Sequence, residues 1–203
     1  MDLKNLTFQE VKDVASKCTR CELCKTRKQV VFGNGPVPCD LMLIGEAPGA
    51  DEDEKGLPFV GRAGQMLTKI FESVGINRET DVYIANTLKC RPPENRTPAK
   101  DEMIACAPYL EAQIRLINPK IILLAGSPAC RAILKNESPM SSLRGKWFKM
   151  EDKDISIMPI FHPSYLLRSP SKEKGAPKWL TWQDMIEVKN ALDAVKKVKS
   201  LNA

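Results

Sequence analysis

Seven thiols, a single imidazole and one loop crowded with glycines, prolines and acids are the groups of this chain that could do chemistry. The cysteines stand at 18, 21, 24, 39, 90, 106 and 130. Cys18-Thr-Arg-Cys21 has the short spacer of a metal-ligand pair, and Cys90 and Cys106 supply a second pair from a distant segment. Such pairs make a soft-ligand cage for zinc or an iron–sulfur cluster, and thiolate ligands alone do not separate the two. Cys24, Cys39 and Cys130 read as small core or surface residues. Disulfides are not expected. The opening Met1-Asp-Leu-Lys-Asn-Leu6 lacks a signal-peptide core, which points to a reducing, cytoplasmic setting.

The one histidine, His162, closes the apolar run Ile155-Ser-Ile-Met-Pro-Ile-Phe161 and is followed by Pro163. A lone histidine is more often structural, but one at the end of a buried strand stands where ligands bind. The crowded loop runs from Gly45 to Gly64, between the apolar run Leu41–Ile44 and a segment, Gln65–Val74, whose apolar residues recur at three and four. Loops of this length in compact domains are usually functional, so it reads as an active-site wall. Its acids at 51 to 54 read mostly as a solvated surface.

These groups need elements to hold them. Thr7 caps a first helix that leads into Cys18. Gln29–Phe32 reads as a short strand, and Leu41–Ile44, Val82–Ala85, Ile121–Ala125 and Ile155–Phe161 as buried ones. Helices follow at 65–74 with Gly75 as C-terminal cap, from Thr97 to about Ile117, from Gly126 to about Leu134, and from a Thr181 cap to the end. Apolar strands alternating with helices imply an α/β fold: three layers, α/β/α, with a central mostly parallel sheet in a single domain spanning residues 1–203. Ligands of such sheets bind beyond the carboxyl ends of the strands. The loop after Ile44, the segment at Asn86 and the segment at His162 all lie there.

Composition removes several function classes. No apolar run reaches the ~20 residues of a membrane span. Gly45-x-x-x-Gly49 is not the dinucleotide fingerprint, and no Gly-Lys-Ser/Thr follows it, so nucleotide triphosphates are not expected. The net charge of +6 leans toward an anionic partner.

Four motifs together carry a resemblance. Gly45-Glu-Ala-Pro-Gly49, Pro58-Phe-Val-Gly61, Asn86 ahead of Lys89-Cys-Arg-Pro-Pro93, and His162-Pro-Ser-Tyr-Leu-Leu-Arg168 resemble the family 4 uracil-DNA glycosylases. The likeness covers nearly the whole chain, from Cys18 to the last helix. It implies a DNA-repair enzyme that hydrolyses the N-glycosidic bond of uracil in single- or double-stranded DNA and leaves an abasic site. A monomer with no membrane association is expected. The resemblance places a [4Fe-4S] cluster on Cys18, Cys21, Cys90 and Cys106; Cys24 departs from the pattern as an extra thiol.

Site roles follow from the same resemblance. Phe59 stacks on uracil, and Asn86 reads its edge, donating to O4 and accepting from N3–H. His162 donates to O2 of the departing base, and the backbone of Gly45, Glu46 and Ala47 completes the hold. Glu46 or Glu52 positions the attacking water, and the sequence does not decide between them. Tyr165, Leu166, Leu167 and Arg168 offer an apolar wedge beside a cation for opening the duplex, although leucines that begin a helix also pack into cores. A related branch captures DNA covalently through a further histidine; this chain has none, which implies turnover. Two other readings stay open: a glycosylase of the same fold for another damaged or mismatched base, and a non-catalytic iron–sulfur module that binds nucleic acid.

Overall fold

Leu41–Gly45 (β1), Val82–Asn86 (β2) and Ile121–Ala125 (β3) are buried at every position, as strands covered on both faces must be. Phe148–Lys149 (β4) is a short edge strand, and Ser156–Ile160 (β5) is buried beyond its first residue. In the computed structural model, which describes residues 3–150 and 153–201, they form one sheet in the order β2-β1-β3-β5-β4. All neighbours are parallel except β4, which runs antiparallel to β5.

Alternate strand residues feed two cores. Leu41, Leu43, Ile84, Leu123 and Met158 face one layer, built from α3 (Arg62–Glu72) and α9 (Pro177–Leu201). Met42, Ile44, Tyr83, Ile122 and Ile157 face the other, built from α5 (Lys100–Ile117) and α6 (Ser127–Leu134). A third cluster joins α1 (Phe8–Ser16) to α5 through Val11, Ala15, Leu88, Tyr109 and Ala112, and it includes Cys90 and Cys106. The short helices α2 (Ala50–Lys55), α4 (Arg78–Asp81), α7 (Met140–Leu143) and α8 (Pro163–Leu167) punctuate the loops. The three-layer α/β/α arrangement expected from the alternation of elements is the one observed.

Several local expectations differ from the structure for identifiable reasons. Gln29–Phe32 is not a strand: Gly33 and Gly35, just after it, adopt φ of 149° and 137°, and the ladder to β2 is reduced to an isolated Asn34–Ile84 bridge. Thr97 does not cap α5. The Glu102 carboxylate turns back to accept from the Ala99 amide at 2.8 Å and is itself held by Arg96, so the helix starts later. Thr181 lies inside α9, its hydroxyl donating to the Pro177 carbonyl at 2.8 Å, because proline is preorganised for the first helical turn. The long loop is partly helical, and Asp53 within it is buried, accepting from the Lys28 amide at 3.0 Å rather than facing solvent.

One buried ion pair fastens the β4 side of the sheet to α9. Arg144, just past α7, donates from Nε to Asp184 Oδ2 at 2.8 Å and from its terminal nitrogen to the Leu180 carbonyl at 3.2 Å, and Asp184 is 2% exposed. Arg144→Met strands that carboxylate in the core and is expected to cost about 3–5 kcal/mol, read as a lowered urea midpoint. Arg144→Lys recovers only part of this, since an ammonium cannot reproduce the fork.

Candidate active site

The strand register sets the floor of the site. Gly45 sits opposite Asn86 and Ala125 opposite Ile160, so four parallel strands end on one level. From β1 the chain first moves to β2 on one side and then to β3 on the other, which makes the β1/β3 crevice the topological switch point where ligands bind in such sheets. An open cleft of about 490 Å³ lies there, lined by Glu46, Gly126, Ser127, His162, Tyr165 and Arg168 among others.

Phe59 is held beside this cleft in a conformation that aromatic residues rarely adopt, with φ of 51°. It is locked from both directions. Glu52 Oε1 accepts from the Val60 and Gly61 amides at 2.8 and 2.9 Å, and its Oε2 accepts from the Gly49 amide at 3.1 Å. On the other flank Arg78 donates to the Pro58 carbonyl at 2.9 Å, to Thr68 Oγ1 at 2.9 Å and to the Gly64 carbonyl at 3.2 Å. Gly64 must be glycine, because a Cβ there would stand 1.7 Å from the Phe59 carbonyl oxygen.

Asn86 ends β2 and is 2% exposed, and its Oδ1 has no hydrogen-bond partner. A buried acceptor without a donor is uncommon and calls for an explanation. The same oxygen lies 2.4 Å from where a Cβ on Gly45 would be, and the Phe59 ring edge 2.8 Å from it. Glycine at 45 therefore lets Asn86 and Phe59 meet. Beneath them Lys89 is 2% exposed and donates from Nζ to the Asn86 carbonyl at 2.7 Å; burial lowers its ammonium to about 8.

His162 is the N-cap of α8. Its Nδ1 accepts from the Ser164 amide at 3.2 Å and lies 2.8 Å from the Ser164 hydroxyl. With Nδ1 used as an acceptor, the neutral ring carries its proton on Nε2. Burial first, and then the Arg168 charge, push its pKa down to about 4, so the ring is neutral at pH 7. The imidazole stands 5.8 Å from the Phe59 ring, centroid to centroid. Gly126 admits this placement, since a Cβ on it would come within 3.1 Å of the His162 Cβ.

The two acids separate by environment. Glu52 spends both carboxylate oxygens on backbone amides. Glu46 lines the cleft with His162, and burial raises its carboxyl above the ordinary value while the Arg131 charge partly opposes that. The Glu46 carbonyl accepts from the Leu88 amide at 3.0 Å and from Thr87 Oγ1 at 2.5 Å, tying this loop to the end of β2. Ala47 packs against the cysteine-bearing core.

Of the four candidate DNA-contacting residues, Leu166 is 1% exposed and belongs to the interior side of α8, which removes it from the wedge. Tyr165 and Arg168 line the cleft and are exposed, with the Tyr165 ring 5.0 Å from Phe161, and Leu167 is half-buried.

Cys18, Cys21, Cys90 and Cys106 line one small internal cavity, enclosed by Ala15 and Tyr109. Arg27 donates to Cys90 Sγ at 3.4 Å and the Lys89 amide to Cys106 Sγ at 3.3 Å. Among the described residues no three metal-capable side chains converge on the position of one ion. Cys24, on a single turn at Glu22–Lys25, is not part of the cavity wall. Cys39 and Cys130 are buried elsewhere. Arg78 and Lys89 are the positioning residues that sequence reasoning missed; an unpaired-looking arginine and a lysine inside a cysteine motif give no sign of burial.

Glu52→Ala removes three charge-assisted hydrogen bonds, accepted by two carboxylate oxygens, and is expected to cost about 2–3 kcal/mol. It should also free the Phe59 loop, read as faster amide exchange from Gly49 to Gly61. Gly45→Ala places a methyl against Asn86 and Phe59 and should displace one of them, with near-complete loss of ligand binding and little change in unfolding midpoint.

Comparison with known proteins fits this geometry. Residues 32–186 match the family model of the uracil DNA glycosylase superfamily. The Type-4 uracil-DNA glycosylase of Thermotoga maritima is 42% identical over 175 residues, covering 82% of this chain and 88% of that protein. The Type-4 uracil-DNA glycosylase of Saccharolobus solfataricus is 39% identical over 201 residues, 96% of this chain and 88% of its own length. That of Sulfurisphaera tokodaii is 39% identical over 175 residues, 83% and 79% respectively. An extent of likeness that takes in all four strand ends and both cysteine pairs makes the chain a member of the uracil DNA glycosylase superfamily, of the Type-4 family within it.

Proposed function

We propose that this protein excises uracil from DNA by hydrolysing the N-glycosidic bond, and that Phe59, Asn86 and His162 close on the flipped base from three strand ends. The observation that carries this reading is the orphaned Asn86 Oδ1, a buried acceptor facing the Phe59 ring across Gly45. Uracil offers a donor at N3, which satisfies that oxygen; cytosine offers an acceptor at N3 and leaves it unpaired. A site with a buried polar group of this kind rejects the analogue strongly.

Bond cleavage develops positive charge on the deoxyribose and negative charge on the leaving base. His162, neutral and protonated at Nε2, donates to uracil O2 as that charge grows. Phe59 stacks on the ring, an interaction worth about 1–3 kcal/mol and indifferent to base identity. Glu46 rather than Glu52 orients the attacking water, because Glu46 lines the cleft with His162 while Glu52 is committed to three backbone amides of its own loop. Arg168 and Tyr165 sit where the opened strand passes, the cation on phosphate and the ring as the exposed part of the wedge. Single- or double-stranded DNA is accepted by a monomer of one domain. Among the described residues no helix is long and apolar enough to cross a membrane.

Cys18, Cys21, Cys90 and Cys106 are the residues that would hold a [4Fe-4S] cluster. Four free thiols lining one cavity, with N–H donors directed at two of the sulfurs, fit the all-thiolate donor set of such a cluster, and the likeness to the Type-4 family, not the thiolates themselves, selects it over zinc. When bound, the cluster supplies thiolate bonds that tie α1 to α5 and to the end of β2. Burial raises the Cys21, Cys90 and Cys106 thiols, and unligated thiols of that kind are poor nucleophiles.

Incubation with a uracil oligonucleotide, followed by alkaline cleavage, should yield the abasic product from uracil and none from cytosine; no product from either single- or double-stranded uracil DNA would overturn the assignment. His162→Ala and Glu46→Gln should each lower kcat by about 10²–10³. Burial pushes His162 down to about 4, below its unfolded 6.5, so kcat/KM should not fall around pH 6.5, and the acid limb should belong to Glu46, whose carboxyl burial raises. The same depression stabilises the fold fully above pH 6.5, and that contribution is lost as pH falls towards about 4, because the unfolded chain protonates first. Cys106→Ser should lose iron and visible absorption together and lower the melting temperature, whereas Cys24→Ser should keep both.

A further inference from the structure

We propose that the groove between α3 and α9 is a second nucleic-acid subsite, which takes the single strand flanking the excised base. The groove has a volume of about 490 Å³ and is separate from the catalytic cleft. Its floor is apolar, with Ile70 from α3 and Leu166 from α8. Trp179 and Trp182, three residues apart at the start of α9, lie along it, and Trp182 is 42% exposed. An exposed indole next to a half-buried one, beside an apolar floor, marks a binding surface.

Charge selects the ligand. Lys69, Lys172 and Lys178 line the groove and no acid does. Among the described residues none of the three forms an ion pair. Further along α9, by contrast, Lys189, Lys196 and Lys199 are bound to Asp193, Asp81 and Asp40. Unpaired cations interleaved with aromatic faces are the recognition chemistry of single-stranded nucleic acid, phosphates on the lysines and bases on the rings.

Continuity selects the source. Helix α8 is the wall between the two sites: His162 caps it and Tyr165 faces the catalytic cleft, while Leu166 faces the groove. Arg168 lines the cleft and Lys172, four residues further along the chain, lines the groove, so a strand that leaves His162 past Arg168 has its next cation in the groove. This inference rests on the reading that the substrate is DNA.

The test compares single-stranded substrates with uracil flanked by about 2 or about 10 nucleotides on each side, lengths that fall short of or fill a stacking groove. The wild-type protein should show a KM on the order of 10-fold lower for the longer one. Trp182→Leu and the double variant Lys172→Gln/Lys178→Gln should abolish that advantage with kcat on the short substrate unchanged, and Trp182→Phe, which still stacks, should keep it. The double variant should also flatten the dependence of log KM on log salt by about 1.4 for the long substrate only. A length advantage that survives both variants, or that Trp182→Phe loses as fully as Trp182→Leu, overturns the proposal. Binding of an acidic apolar peptide in the groove with the length advantage intact overturns it too, in favour of a protein-docking face. Uracil release from the short substrate separates the two readings, since it persists if only this one fails.

Discussion

The Glu52 carboxylate is the constraint on which the site depends. It accepts from the amides of Gly49, Val60 and Gly61, and so closes a loop whose two ends it binds. Between those ends Phe59 sits at a φ of 51°, a conformation that costs of order 1–3 kcal/mol for a residue other than glycine. Charge-assisted hydrogen bonds to a half-buried carboxylate are strong enough to offset that cost. Without them only the Arg78 flank would hold the ring beside Gly45. The strain is thus part of how a loop presents a flat apolar face at a fixed height above a strand end.

The other two groups are placed by the sheet itself. Asn86 follows from the register with Gly45, and His162 from the turn that ends β5 and starts α8. Lys89 carries the same logic into the cysteine-bearing core, since its ammonium holds the Asn86 carbonyl while its amide donates to Cys106. The cysteine-lined cavity and the Asn86 side chain are therefore built on one continuous stretch of chain. Disorder in the cysteine-bearing core should be felt first at Asn86 and last at Phe59, which hangs on a different loop.

Much of this was legible in the sequence, and for a physical reason. Runs such as Leu41–Ile44 and Ile121–Ala125 can be nothing but strands buried on both faces, and parallel strands fix where their loops gather. Residues that stand at strand ends, such as Asn86 and His162, could be placed this way. Glu52 could not be told from Glu46, because both are acids in one loop. The difference lies in backbone amides that converge on Glu52 only after the loop has folded. Asp53 misled for the same reason: an acid among acids reads as solvated until the Lys28 amide closes on it. Thr181 reads as a cap before an apolar run, yet Pro177 starts the helix a turn earlier. Leu166 reads as a wedge by its neighbours Tyr165 and Arg168, yet helix periodicity turns it inward.

The account stands or falls on how a uracil base is held. A crystal structure of the protein soaked with uracil addresses this most directly. The account predicts the ring against Phe59, N3–H directed at Asn86 Oδ1 and O2 within hydrogen-bond distance of His162 Nε2. Uracil bound elsewhere, or bound with Asn86 Oδ1 still unpartnered, would contradict it.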